Sequence, residues 1–382
     1  MNVVIMSPHF PPNHVNYSLR LRNRGVNVLG IGDAPYESLA WELRTALSDY
    51  VYVPDMTDYD AMLRAMGHLT SRHGKIDRID SQNEFWLEIE ARLREDFNIY
   101  GQKTADTDIN RSKLGMKTVC KTHAIPCAPA AAVTSLGQVS AFAKEVGYPV
   151  ILKPEVGVGA SATHRVDNEE ELVRLVETLP AGYLCEPFVR GEIVTFDGLV
   201  DRDGRLVFVT SHEYSGGVME VVNAGASLYY YSVRELDPAL MKIGLATVAA
   251  FGIKERFFHI EFFRRPDDYW LLEVNIRPPG LYTIDMMNFS ADVDLYDMWA
   301  ALLTGQRLPD PPPRKYFVGF VGRRRTVPHI HSHEEIMARY SDRTVMSQPI
   351  PGSYANAMGH HCYLLRHAEQ QALSEAINFI MA

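Results

Sequence analysis

Residues 270–280 read WLLEVNIRPPG. The apolar opening suits a β-strand, yet Glu273, Asn275 and Arg277 follow at every second position. Alternate side chains of a strand share a face, so these three converge while Leu272, Val274 and Ile276 point the other way. Solvent exposure accounts for one such residue on its own. An acid, an amide and a guanidinium on one face, stopped by Pro278, Pro279 and Gly280, describe a site that holds a metal ion and an anion together.

Composition bounds the framework around that strand. A chain of 382 residues is long enough for two or three domains or one multi-lobed enzyme. With 46% apolar and 22% charged residues it is an ordinary globular sequence, which excludes gross disorder. The net charge of −9 leaves no basic surplus for phosphate neutralisation, so nucleic acid is not the expected partner. Cys120, Cys127, Cys185 and Cys362 are scattered without a C-x-x-C pair, which fits reduced cytoplasmic thiols better than a disulfide framework. The start, MNVVIMSPHF, has no basic targeting segment and breaks at Pro8. The longest apolar runs, such as LATVAAFGI, fall far short of the roughly 20 residues that span a bilayer. These features predict a soluble, cytoplasmic protein with no membrane partner.

Residues 1–103 alternate strand-like runs (NVVIM, VNVLGIG, DYVYVP, KIDRID) with helical ones, including one capped by Asp58 and ended by Gly74. Such βαβ alternation predicts a parallel sheet with helices on its faces. The turn SPHFPPN lacks the G-x-G-x-x-G fingerprint, so no dinucleotide site is expected. The stretch YGQKTADTD marks a boundary, and residues 104–310 mix helices with longer β-rich segments of α+β character. The proline-rich LPDPPPRKY closes that unit, and residues 311–382 are expected to form a small α+β cap.

Three further stretches carry chemistry. In GYPVILKPEVGVGASATHRV a buried strand delivers Lys153, and the glycine-bearing loop through Gly157, Gly159 and Ser161 lets backbone amides approach an anion. The loop is no Walker A motif, because no G-K-[ST] closes it. The segment NRSKLGMKTVCKTHAIPCAP is a helix with cations at Lys113, Lys117 and Lys121 before an Ile-Pro exit; such spacing is also that of a solvated basic face. In YLCEPFVRGEIVTFDG a strand carries Glu186, and backbone from Pro187 to Val189 suits adenine while a carboxylate takes ribose hydroxyls.

In this order the pieces resemble the ATP-grasp superfamily of ATP-dependent carboxylate–amine ligases, over roughly residues 1–310. The resemblance implies an N-terminal parallel-sheet (pre-ATP-grasp) domain, a two-lobed ATP-grasp domain with its lid lobe at about 119–188, and the C-terminal cap. It implies ATP as cosubstrate with Mg²⁺ or Mn²⁺. Lys113, Met116, Lys117 and the AIP turn match the family's first ATP lysine and its G-I-P turn, with Ala124 where the family usually has glycine. Lys153 and the loop through Gly157, Gly159 and Ser161 match the second lysine and the glycine-rich lid. EPFV, with Glu186, Phe188 and Val189, matches the adenine hinge, and Glu192 the ribose acid. Glu261 in FHIEFF, Glu273 and Asn275 match the metal ligands, and Arg277 the arginine on the transferred phosphoryl group. Many relatives read N-P-R where this chain reads NIR; the change spares all three polar positions.

The implied reaction activates a carboxylate, such as that of an amino acid, as an acyl phosphate, and an amine then displaces phosphate to give an amide, ADP and Pi. Arg277 and Lys153 are the expected catalytic residues. The substrates are small molecules, and a homodimer is the default assembly. A carboxylase-type or purine-pathway relative acting on bicarbonate or formate is the alternative, and a non-catalytic nucleotide-binding regulator is the alternative of another class.

Other signals favour plainer readings. His329, His331 and His333 would share one face of a strand, but no acid or cysteine is tied to them, so a metal role is not assigned. GHHCY near residue 360 is taken as loop. SGGVMEVVN, from Ser215, reads as a mobile substrate loop. Glu84 lies where related ligases often face the substrate, although acids at helix starts are common for dipole reasons alone. Arg323, Arg324 and Arg325 suit either a substrate carboxylate or a charged surface.

Overall fold

A computed structural model of the chain describes residues 1–157, 162–215 and 227–382. Four strands open the chain: β1 (Asn2–Met6), β2 (Asn27–Gly32), β3 (Asp49–Tyr52) and β4 (Arg78–Asp80). They pair in parallel in the order β3-β2-β1-β4. β1 is apolar from Val3 to Met6 because both its faces are buried. Val3 and Ile5 enter a core with Tyr17, Leu21 and Trp299. Val4 and Met6 enter another with Leu29, Met62 and Ile79. The helix Tyr59–His73 is capped as its sequence predicts: Asp58 accepts from the Ala61 N–H at 3.1 Å, and Gly74 ends it at φ 81°. Strand order reverses at β1, so the loops after β1 and β4 part there and leave a crevice at their carboxyl ends.

The second sheet is antiparallel, in the order β5-β8-β6-β7: β5 (Ala131–Ala132), β6 (Val150–Pro154), β7 (His164–Val166) and β8 (Tyr183–Pro187). Helices Leu136–Val146 and Glu169–Val176 pack on it through Val139, Ala143 and Leu172, against Val150, Leu152 and Cys185.

Among the described residues the third sheet has nine strands, β9 (Glu192–Val200), β10 (Leu206–Thr210), β11 (His212–Tyr214), β12 (Leu228–Ser232), β13 (Phe257–Arg264), β14 (Tyr269–Asn275), β15 (Phe317–Arg323), β16 (Thr344–Pro349) and β17 (His361–His367). Eight run in the order β14-β13-β9-β11-β12-β15-β17-β16, and β10 pairs with β9. Residues 311–382, expected as a small α+β cap, supply β15, β16 and β17 to this sheet. β15 pairs with β12 from Leu228↔Gly322 to Ser232↔Val318, and Phe320 and Cys362 share a core with Tyr230 and Met286. The apolar runs FVGFV and CYLL are covered on both faces: Phe320 and Leu364 pack with Met286 on one, and Val321 and Leu365 with Leu373 and Ile377 on the other. The GHHCY stretch, taken as loop, contributes His361, Cys362 and Tyr363 to β17. Among the described residues no helix is long and apolar enough to cross a membrane.

Candidate functional site

β14 is antiparallel to β13, which is antiparallel to β9, and the registers align polar residues in two transverse rows. Thr195, Glu261 and Glu273 form one row; Asp197, His259 and Asn275 form the next, two residues along each strand and so on the same face. Glu261 and Glu273 therefore face each other directly, with side-chain exposures of 23% and 19%. Burial, with Glu261 opposite, pushes the Glu273 carboxyl up, while Lys113 opposes the shift. Burial also works against the Glu261 carboxylate, but the His259 contact outweighs it and holds that carboxyl low.

The apolar side of β14 differs from the simple alternation expected. Leu272 is only half-buried; Leu271 enters the core instead, together with Val274 and Ile276. A β-bulge between Glu261 and Phe262 pairs Phe262 with Leu271 and leaves Leu272 as the extra residue.

The expected phosphate lysines arrive from two other elements. Helix Lys113–Thr122 begins at Ser112, whose hydroxyl accepts from the Gly115 N–H and donates to Glu155 at the end of β6. Lys113 Nζ lies 3.2 Å from Glu273 Oε1 and donates to the Gly157 carbonyl at 3.1 Å. One turn on, Lys117 Nζ lies 3.0 Å from Glu186 Oε2 and donates to the Ala128 carbonyl at 2.8 Å. Lys153 Nζ, from β6, is 2.5 Å from the other Glu186 oxygen. The β6–β8 register sets Ile151 opposite Glu186, so Lys153 and Glu186 share a face. Burial alone would push the Glu186 carboxyl up; Lys153 and Lys117 more than offset it and hold it ionised. Met116 packs in the core beneath the helix. Ala124, after the helix, sits at φ 54°, the left-handed conformation that explains a glycine preference at this position.

Arg277 leaves the end of β14 and donates to Glu84 Oε2 at 2.9 Å and to the Asn275 amide oxygen at 3.4 Å. Glu84 opens the 3-10 helix Glu84–Trp86 that follows β4, so this pair links the first and third sheets. Glu192 lies apart from this cluster. Its side chain is 73% exposed at the start of β9 and takes both Arg264 Nε and Nη2. In the hinge, the Phe188 N–H donates to the Pro149 carbonyl at 2.9 Å and the Arg165 guanidinium covers the Phe188 ring; Val189 is half-buried. The N–H of Phe188 is thus engaged within the protein. Gly157 is described, at φ 148°; Gly159, Ser161 and residues 216–223 of the SGGVMEVVN stretch lie outside the described residues.

The three histidines diverge. Ser332 caps a helix that starts at His333, so 329–333 is no strand. His331 stacks on Phe379, and His333 meets the Tyr363 hydroxyl at 2.8 Å. Arg323 and Arg324 donate to the carbonyls of His331 and Asn356. Among the described residues no group of three His, Cys, Asp or Glu side chains could hold a metal; Glu261 and Glu273 share their face of the sheet with the Asn275 amide.

Sequence reading missed a buried array beside Glu261. His259 Nε2 is 3.1 Å from Glu261 Oε1, and its Nδ1 is 2.6 Å from Asp197 Oδ1. The other Asp197 oxygen is 2.6 Å from His212 Nδ1 and accepts from the Thr195 hydroxyl. The two imidazoles hold the Asp197 carboxyl well below the usual carboxylate range despite full burial. Burial works against charge on His259, yet Asp197 and Glu261 push its pKa up to about 9. The H-x-E spacing in FHIEFF was a usable signal for His259.

The family model for the carbamoyl-phosphate synthase L chain, ATP binding domain, matches residues 112–182, the stretch that holds Lys113, Lys117 and Lys153. An L-arginine-specific L-amino acid ligase of Bacillus subtilis is 27% identical over 230 residues, 57% of this chain and 55% of that protein. The match thus spans little more than half of that relative's length. The crystal structure of an L-amino acid ligase from Bacillus licheniformis superposes with a TM-score of 0.76 at 17% identity, over 99% of this chain and 96% of that one. The biotin carboxylase domain of a Hydrogenobacter thermophilus 2-oxoglutarate carboxylase, solved with MgADP and bicarbonate, superposes at 0.70 with 16% identity, over 99% and 89%.

Proposed function

The chain has the ATP-grasp fold, and from that premise we propose that it is an ATP-dependent carboxylate–amine ligase. The carboxylate takes the γ-phosphoryl group of ATP as an acyl phosphate; an amine displaces Pi, leaving an amide and ADP. The observation that carries this reading is the 3.2 Å approach of Lys113 Nζ to Glu273 Oε1. A cation from the helix and an acid from the sheet meet there, so places for phosphate and for metal are contiguous. Phosphoryl transfer requires mainly positioning and charge neutralisation, and no side-chain nucleophile.

Glu261, Glu273 and the Asn275 amide are a hard oxygen set of the kind Mg²⁺ or Mn²⁺ takes; when bound, the ion would neutralise phosphate charge. Lys113 and Lys153 bind phosphate oxygens, and Glu186 keeps Lys153 and Lys117 extended toward them. Arg277, paired with Glu84 in this structure, takes the migrating phosphoryl group. Exposed and paired with Arg264, Glu192 has the weakest geometric support as the ribose acid. The two amino acid ligases among the similar proteins favour an amino acid, a small molecule, as the acid.

The test is to incubate the purified protein with Mg·ATP and a panel of amino acids and amines, and to identify the nucleotide product. ADP and Pi are expected, with oxygen-18 from the substrate carboxylate appearing in the released phosphate. With the amine withheld, hydroxylamine should trap a hydroxamate. AMP and pyrophosphate, with the label in AMP, would overturn the acyl phosphate route.

A further inference from the structure

The array behind Glu261 has no part in the reaction as written above. Asp197 is wholly buried, His212 likewise, and His259 nearly so. Charged and polar groups are brought into such a place at a cost, and the cost is offset only when their geometry is satisfied. Here it is satisfied in one direction. Both ring nitrogens of His259 face carboxylate oxygens, at 2.6 Å and 3.1 Å. The ring therefore bridges two acids, one buried in the sheet and one on its face. Asp197 is fixed in turn by His212 Nδ1, by the Thr195 hydroxyl and by its place opposite His259 in the sheet. The chain of contacts ends on Glu261 Oε1.

We propose that His259, anchored by Asp197, is a positioning residue: it holds one oxygen of Glu261 so that the carboxylate presents the other to a divalent cation shared with Glu273 and Asn275. This rests on the reading of Glu261 and Glu273 as metal acids. The row arrangement supports it independently of any reaction. His259 stands between Asp197 and Asn275 across three strands, one row from Glu261, and its ring links the buried Asp197 to the Glu261 carboxylate. Partners of metal ligands fix ligand orientation in this way, and their loss weakens metal binding without removing a ligand.

Two substitutions separate this role from a purely structural one. An asparagine amide occupies the place of Nδ1 and keeps the Asp197 bond but falls short of Glu261. A glutamine amide reaches the place of Nε2 and keeps the Glu261 bond. Mn²⁺ affinity in the presence of ADP is measured by the loss of free-ion resonance for the full chain, for His259→Asn, His259→Gln and Glu273→Gln; metal-free ADP binding is measured by calorimetry. His259→Asn is expected to weaken Mn²⁺ about 10- to 100-fold and His259→Gln by about threefold or less, with metal-free ADP affinity unchanged in both. Equal Mn²⁺ affinities for the two, or a weaker one for His259→Gln, would overturn the proposal. If wild type shows no ADP-dependent Mn²⁺ site, or Glu273→Gln keeps it, the reading of the metal acids fails and the proposal falls with it. Should His259→Asn not fold, the imidazole ¹⁵N spectrum of the wild type decides. The His259 Nε2–H signal is expected to move on adding Mg·ADP and to stay in place with ADP alone; no difference between the two would refute the role.

Discussion

Replacing Lys153 with methionine tests two roles of one ammonium group. In this structure Lys153 Nζ is 2.5 Å from Glu186 Oε1, and Lys117 Nζ is 3.0 Å from Oε2. Side-chain exposures of 9%, 7% and 14% for Lys153, Glu186 and Lys117 make this a largely buried triad. At an effective dielectric of about 20, Coulomb's law gives roughly 7 kcal/mol of gross attraction for the shorter pair and roughly 5.5 kcal/mol for the longer. Desolvation cancels most of it, and breaking a buried pair costs about 3–5 kcal/mol in practice. Because Lys117 stays on Glu186, Lys153→Met should lose about 3 kcal/mol, the low end of that range, in urea unfolding without nucleotide. ATP affinity is a separate quantity. A lost charged hydrogen bond to phosphate is worth about 1.5–3 kcal/mol, or roughly 10- to 150-fold in Kd by calorimetry. The double variant Lys153→Met/Glu186→Gln separates the two effects. Glutamine removes the stranded charge, and Lys117 keeps the Ala128 carbonyl, so stability should largely return while ATP affinity stays low. If affinity returned with stability, Lys153 would act only through Glu186, and its assignment to the phosphates would be refuted.

Glu273→Gln should abolish Mg²⁺-dependent phosphate release while changing metal-free stability little, since it also removes the repulsion from Glu261; near-normal activity at low Mg²⁺ would remove β14 from the metal site. Ala124→Gly should stabilise the protein by about 0.5–1 kcal/mol in urea, because alanine at φ 54° bears a strain that glycine lacks; a destabilisation would mean the methyl group packs usefully. Asp285 supplies a pH test: it is buried, accepts from Asn13 and Tyr296, and burial raises its pKa from 3.8 to about 6. The folded state therefore binds more protons between those values, so stability should fall by up to about 3 kcal/mol as pH rises through that window, and Asp285→Asn should flatten the slope. Identical urea midpoints against pH for wild type and variant would refute it.

The sequence was most legible where chemistry and local period coincide. The first sheet followed from apolar runs separated by helices, and Asp58 and Gly74 bounded one of them as expected. Glu273, Asn275 and Arg277 were visible because three polar types at period two resist a bland reading. Lys113 and Lys153 stood at the ends of recognisable elements, and the structure brings each onto an acid. What stayed hidden depends on pairings distant in sequence. Asp197 looks like any acid in a β-rich run until its strand is set beside β13, which begins sixty residues later. Glu84 gains meaning only when the loop after β4 meets Arg277, and no local pattern encodes that contact. That the C-terminal strands continue the third sheet was not legible, because the proline-rich connection LPDPPPRKY gives no sign of which strands pair beyond it.

The bulge in β14 shows how local pattern and site can disagree within seven residues. Counting from its start, Tyr269 and Leu271 are core residues, so strict alternation would put Glu273 in the core as well. Counting back from its end, Ile276 and Val274 are core residues, which turns Glu273, Asn275 and Arg277 to the cleft. Both halves satisfy the hydrophobic effect, and they are out of phase by one residue. A regular strand cannot serve both, because a one-residue slip exchanges every side chain between faces. The extra residue at Leu272 reconciles them: β13 pairs Phe262 with Leu271 and Glu261 with Glu273, and the phase changes between the two pairs. The facing carboxylates are therefore placed by an irregularity that the sequence presents only as two adjacent leucines. The same irregularity brings Glu273 within 3.2 Å of Lys113 while Leu271 remains packed in the core beneath.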